Sequence, residues 1–120
     1  MLKLVDRAFG VLLALGAAGH AAGSLALLPA GSQIQVWSLS GVVAAALVAA
    51  LNLVRAGRPN DRTIAWLAFA GSLAWCAIAL LFGRAIGNLL DFRVVWHFIC
   101  ALALTAFSLR TALRSQAGVS

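Results

Sequence analysis

The chain reads as an all-α membrane protein, four transmembrane helices in an up-down-up-down antiparallel bundle with both termini cytoplasmic. Three observations predict this. Apolar stretches at 4–28, 34–54, 63–82 and 92–113 each reach the roughly 20 residues needed to cross a bilayer's hydrocarbon core. The composition is 63% hydrophobic and 10% charged, with mean hydropathy +1.01, against about 25% charged in soluble domains. The basic residues divide unequally between the two sides. Lys3, Arg7, Arg55, Arg58, Arg62, Arg110 and Arg114 fall on one side, and Arg84 and Arg93 on the other. In short loops that bias places the richer side in the cytoplasm.

The first stretch, 4–28, is stopped by Pro29 and Gly31, while Ser32 and Gln33 hold the turn at the water. A secretory leader with Lys3 and Arg7 as its basic region conflicts with a run that continues to Leu28. That run exceeds the roughly 7–15 residues of a leader's apolar region. The second stretch ends in a compact cytoplasmic turn running from Arg55 to Arg62. There Gly57 suits a helix C-cap, and Asn60 or Asp61 suits the next N-cap. The third break, 83–91, mixes Gly83, Gly87, Asn88 and Asp91 with apolar residues and is expected along the outer interface, Asp91 capping the fourth helix. All three connections are short, so successive helices are expected to be antiparallel neighbours within one domain covering 1–120.

In lipid, helices associate through small residues and polar contacts, because the tails are as apolar as leucine. At 100° per residue the expected inward faces are Gly16, His20, Gly23 and Ser24, with Gly19 and Gly23 one close-packing step apart. On the second helix they are Ser38, Gly41, Ala45 and Asn52. The third offers Ala65, Ala68, Ser72, Cys76, Ala79 and Gly83, and the fourth Arg93, His97, Cys100, Ala101, Ser108 and Thr111. Of the four tryptophans, Trp37, Trp66 and Trp96 lie near segment ends, and Trp75 is expected between helices.

A net charge of +6 does not point to nucleic acid, because the basic residues sit at segment ends and form no stripe. Ionisable residues inside a membrane are costly and are functional candidates by default. The two histidines, His20 and His97, fall within about 5 Å of one depth in the outer half. The two cysteines, Cys76 and Cys100, fall in the same layer and are expected as thiols. Imidazole and thiolate are ligands for zinc, copper(I) and haem iron. His20, His97, Cys76 and Cys100 are therefore the candidate metal set, and a transition metal or haem the candidate cofactor. The pair could equally serve a proton or a quinone. Asn88 and Asp91 could form a rim over His20 and His97 in a ligand pocket. No spacing motif for metal, catalytic triad, carboxylate pair or phosphate-cradling loop is present, so the expectation is no enzyme.

Length and helix number are similar to those of small multidrug-resistance transporters, which depend on a carboxylate in the membrane core of the first helix. This first stretch has none there, Asp6 lying at the cytoplasmic edge. The paired cysteines that mercury-uptake membrane proteins carry near the first helix are absent too. The leading expectation is a small integral protein of the bacterial inner membrane. It would act as an accessory or interaction subunit, docking a larger membrane protein or self-associating. The alternative is a binding or transport protein using the His20 and His97 layer for a metal, haem, protons or a small apolar ligand.

Overall fold

A computed structural model describes residues 1–117, with side chains through Arg114. It is all-helical. The helices are α1 (Leu2–Leu27), α2 (Gln33–Gly57), α3 (Arg62–Ala85) and α4 (Phe92–Ala117). Each is long and apolar enough to span a membrane. At about 1.5 Å per residue they run roughly 36–39 Å, more than the roughly 30 Å hydrocarbon core.

Local chemistry explains each end. Leu28 precedes Pro29, whose ring excludes helical backbone from the residue before it. Leu28 is accordingly extended, with φ −100° and ψ 147°, and α1 stops. Gly31 then takes φ +72°, which few other residues would tolerate. Ser32 caps α2 by accepting from the Gln35 N–H at 3.2 Å. The Gln35 side chain returns to accept from the Gly31 N–H at 2.8 Å, a variant of the reciprocal capping box. Asp61 caps α3 by accepting from the Ile64 N–H at 3.0 Å. At the far end of α3, Asn88 N–H reaches the Gly83 carbonyl at 2.9 Å and Gly87 N–H the Arg84 carbonyl at 3.1 Å. With Gly87 at φ +69°, that is a Schellman closure.

The observed helices are longer than the apolar stretches at their polar ends. Arg55, Ala56 and Gly57 belong to α2 rather than to a turn, and Gly83, Arg84 and Ala85 belong to α3. Arg55 is the instructive case. It extends the helix because its guanidinium finds partners inside the bundle, as described below.

The helices pack in a ring, α1 against α2 and α4, and α3 against α2 and α4, with a minor diagonal contact between α2 and α4. At one end, residues early in α1 meet residues late in α2, as Asp6 meets Arg55. At the other, Ser24 late in α1 meets Ser38 early in α2. The centre is Leu13, Ala49, Cys100 and Leu104, with Trp75 and Trp96 packed against it. The surface is the apolar part: Leu15, Leu25, Leu47, Leu67, Leu81 and Ile99 are all more than half exposed. Small and polar side chains fill the interior, including Ala65, Ala68, Ser72, Ala101 and Ser108. An outside this apolar suits lipid and not water.

The six inward residues expected on α3 are all buried. On α1 the buried line is Asp6, Gly10, Leu13, Ala17 and Ser24. That line departs from the expected one: Gly19 lies outside, and a side chain added at Gly19 or Gly23 would meet nothing within 4 Å. On α4 the expected Arg93 is exposed, its side chain 57% accessible, while Val94 and Leu104 are buried in its place. A guanidinium at the first turn reaches out of the bundle, and the neighbouring valine turns in.

Candidate functional site

Two polar clusters occupy the interior at different levels. The first is the histidine layer. His20 projects from α1 and His97 from α4, and their rings stand edge to face with centroids 6.4 Å apart and planes at 78°. Each ring is held by a residue from another helix. Ser38 on α2 lies 3.1 Å from His20 Nε2. Trp75 on α3 donates its indole N–H to His97 Nδ1 at 3.1 Å, ring centroids 5.8 Å apart. Four helices thus contribute one side chain each.

Hydrogen bonds continue outward from His20. Ser38 Oγ lies 2.6 Å from Ser24 Oγ, which donates to the His20 carbonyl at 2.8 Å. Gln35 Nε2 donates to the Ser24 carbonyl at 3.3 Å, tying this string to the turn between α1 and α2. Beneath the rings, Trp96 donates to the Leu12 carbonyl at 2.9 Å. Gly16 makes room for this arrangement: a side chain there would sit 2.8 Å from the Trp96 indole and 3.2 Å from His97 Cε1.

The second cluster surrounds Arg55, which is 1% exposed. Its Nη2 pairs with Asp6 Oδ1, and its Nη1 donates to Asp6 Oδ2 at 3.0 Å and to Thr111 Oγ1 at 3.0 Å. Its Nε donates to Asn52 Oδ1 at 3.3 Å. Asn52 donates in turn to Ser72 Oγ at 2.8 Å, and its Oδ1 also accepts from Ser108 Oγ at 2.8 Å. All four helices meet in this network. Among the described residues, no buried side-chain nitrogen or oxygen lacks a partner. A buried charge unmatched in this way would cost several kcal/mol, roughly 3–5 by comparison with broken buried ion pairs.

Asn88 and Asp91 lie elsewhere, in the turn between α3 and α4. Asn88 accepts from the Leu90 N–H at 3.0 Å within the α3–α4 turn. Asp91 accepts from the Arg93 N–H at 2.9 Å and pairs with the Arg93 guanidinium at 2.9 Å. That guanidinium, ahead of the Arg93 backbone N–H, holds the Asp91 carboxyl below the usual carboxylate range. Both residues spend their hydrogen bonds on local turn closure. Cys76 and Cys100 are free and buried, Cys76 Sγ lying 3.9 Å from Thr105 Oγ1.

The four sequence candidates do not gather into one metal-ligating group. Among the described residues no three of His, Cys, Asp and Glu are grouped as ligands, so His20, His97, Cys76 and Cys100 do not form one set. The chemistry of His97 points the same way. A ligating imidazole keeps a proton on its other nitrogen and donates it to an acceptor. Here Nδ1 receives a hydrogen bond from Trp75, so a metal at Nε2 would require an imidazolate, and a metal at Nδ1 would displace the indole.

Asp6, Arg55 and Trp75 escaped the sequence reading as site residues. The signal for the first two was present in the spacing: Asn52 and Arg55 lie three apart, one face of a helix, opposite an acidic residue early in α1. Comparison of the chain with family models, curated proteins and solved structures finds no match.

Proposed function

We propose that the chain is a multi-pass protein of the bacterial inner membrane that takes up and passes on protons at the His20–His97 pair, without catalysis of its own. The observation that carries this reading is the pair itself: two imidazoles 6.4 Å apart, each oriented by a side chain from a further helix. Histidine is the side chain whose ordinary titration lies nearest neutral pH. Ionisable residues retained inside a membrane commonly belong to proton relays.

The bundle runs up-down-up-down with both termini cytoplasmic. Asp6 against Arg55 and Ser24 against Ser38 support the arrangement of the first two helices. With Arg55 withdrawn into the interior, Lys3, Arg7, Arg58, Arg62, Arg110 and Arg114 still outweigh Arg84 and Arg93, which supports the orientation. The histidine layer then lies in the outer half of the membrane and the Arg55 network in the inner half.

The test uses liposomes loaded with a pH-sensitive dye, carrying either the natural chain or a His20→Ala, His97→Ala double variant. An imposed pH difference should decay faster with the natural chain. Equal decay removes the proton reading. A Soret band or stoichiometric metal that the double variant loses would replace it with a cofactor site.

A second reading, an accessory subunit that docks a larger membrane protein, is favoured by the closed Arg55 network: among the described residues no buried side-chain nitrogen or oxygen is left for a ligand to satisfy. Its mark is a protein that co-purifies in mild detergent and stays bound when His20 is replaced by alanine.

A further inference from the structure

The hydrogen bonds around the two imidazoles fix which nitrogen carries each proton. The indole N–H of Trp75 can only donate, so His97 Nδ1, 3.1 Å away, must be the bare nitrogen. Neutral His97 therefore carries its proton on Nε2. The reasoning for His20 starts two residues away. A carbonyl can only accept, so the single hydroxyl hydrogen of Ser24 is committed to the His20 carbonyl at 2.8 Å. The 2.6 Å contact between the two serines then requires Ser38 to donate to Ser24. Having given its only hydrogen, Ser38 can only accept from His20 Nε2 at 3.1 Å. Neutral His20 thus carries its proton on Nε2 and leaves Nδ1 bare.

We propose that the pair takes up one proton, at Nδ1 of His20, and that Trp75 is the positioning residue that keeps His97 neutral. This rests on the proton reading above and adds the accepting atom. A proton on His20 Nδ1 leaves its Nε2–H bond to Ser38 intact. A proton on His97 can enter only at Nδ1, where it would point N–H against the N–H of Trp75 and break that bond. Charging both rings would place two cations 6.4 Å apart. The neighbours leave the assignment to this geometry. From α2 the His20 ring meets Ser38, which does not titrate in this range, and from α3 the His97 ring meets Trp75, which has no acid–base group. From α4, the charge of Arg93 acts on His20 and opposes a proton there, so the choice of His20 over His97 rests on the hydrogen-bond directions alone. The histidine layer is then asymmetric: one imidazole is a base, and the other is a fixed hydrogen-bond donor.

The experiment is nitrogen NMR of the full chain, labelled at histidine and embedded in lipid bilayers, without a histidine tag. With only two histidines in the sequence, each signal is assigned by the loss that His20→Gln or His97→Gln causes. At neutral pH both rings should show a protonated Nε2 and a bare Nδ1. Between about pH 4 and 9, a range bracketing ordinary histidine, one ring should titrate, His20, gaining its proton at Nδ1. In Trp75→Phe, which keeps an aromatic ring and removes the N–H, the single proton should be shared between His20 and His97. If His97 titrates in the natural chain, or carries its proton on Nδ1, the assignment is overturned while the proton reading stands. If neither ring titrates, both fall together. The natural chain alone decides these outcomes, so a failure of Trp75→Phe to fold does not shelter the proposal.

Discussion

Asp6 and Arg55 meet end-on, both guanidinium η-nitrogens on both carboxylate oxygens, although 49 residues and one membrane-length helix separate them. Asp6 is 8% exposed and Arg55 1%. The pair anchors α1 to α2, and through Thr111 and Asn52 it anchors both to α4 and α3.

Removing one partner should cost far more than removing both. Asp6→Ala leaves a buried guanidinium uncompensated and is expected to lower stability by about 3–5 kcal/mol. Asp6→Leu combined with Arg55→Leu should recover much of that loss, since an apolar replacement of a buried pair is often neutral. Unfolding by sodium dodecyl sulfate in mixed micelles, followed by circular dichroism, measures both. A double variant no more stable than Asp6→Ala would show that the ion pair itself is not what holds this level together.

Glycines on α1 divide by what faces them. Gly16→Ala should destabilise by about 1–3 kcal/mol through overpacking, because its new methyl meets the Trp96 indole at 2.8 Å. It should also disturb the His97 resonances, 3.2 Å from the same methyl. Gly19→Ala meets nothing within 4 Å and should change stability by no more than about 0.5 kcal/mol. Equal effects at the two positions, read in the same unfolding assay, would contradict the assigned face of α1.

The Asp91 cap carries a signed pH dependence. Its carboxyl is depressed below the ordinary value of about 4, first by the Arg93 side chain and then by the Arg93 N–H. A depressed acid contributes stability that is fully present above the unfolded value and lost as pH falls through the lower folded value. Protection of the Arg93 amide against hydrogen exchange should therefore fall in Asp91→Ala by the same factor throughout about pH 5–8. At pH low enough to protonate the depressed carboxyl, below the ordinary carboxylate range, the two proteins should converge. A difference that grows toward acid would reverse the sign.

Cys76 and Cys100 are 6% and 4% exposed. Neither should react with a polar maleimide while the chain is folded, and both should react after denaturation, with mass spectrometry counting the adducts. Labelling of either thiol in the folded protein would mean that α3 and α4 part at this level.

Much of the architecture is legible from hydropathy, since four apolar runs of this length admit few other arrangements. The α3 face is legible as well, from Ala65 to Gly83, because small residues recur on it at helical spacing and nothing else competes. On α1 two small-residue lines compete, one through Gly10 and Ala17 and one through Gly19 and Gly23. The winner is set by long-range partners, Leu53 against Gly10 and Trp96 against Gly16, which local periodicity does not contain. Arg55 was misplaced for a related reason. A basic residue at the end of an apolar run ordinarily faces water, and only the distant carboxylate of Asp6 reverses that. At the histidine layer, counting residues along two helices suffices to set His20 and His97 at one level. The direction of each ring depends on Ser38 and Trp75, which come from the other two helices.

The Arg55 network has a consequence for biogenesis. Its last acceptor, Thr111, and the serine that completes Asn52, Ser108, lie in α4, which leaves the ribosome after α1, α2 and α3. A chain truncated before α4, or still being made, carries a guanidinium and a carboxamide whose hydrogen bonding cannot be completed. Such an open seam is what membrane proteases and insertases can recognise, so arrival of α4 doubles as the signal that this seam has closed.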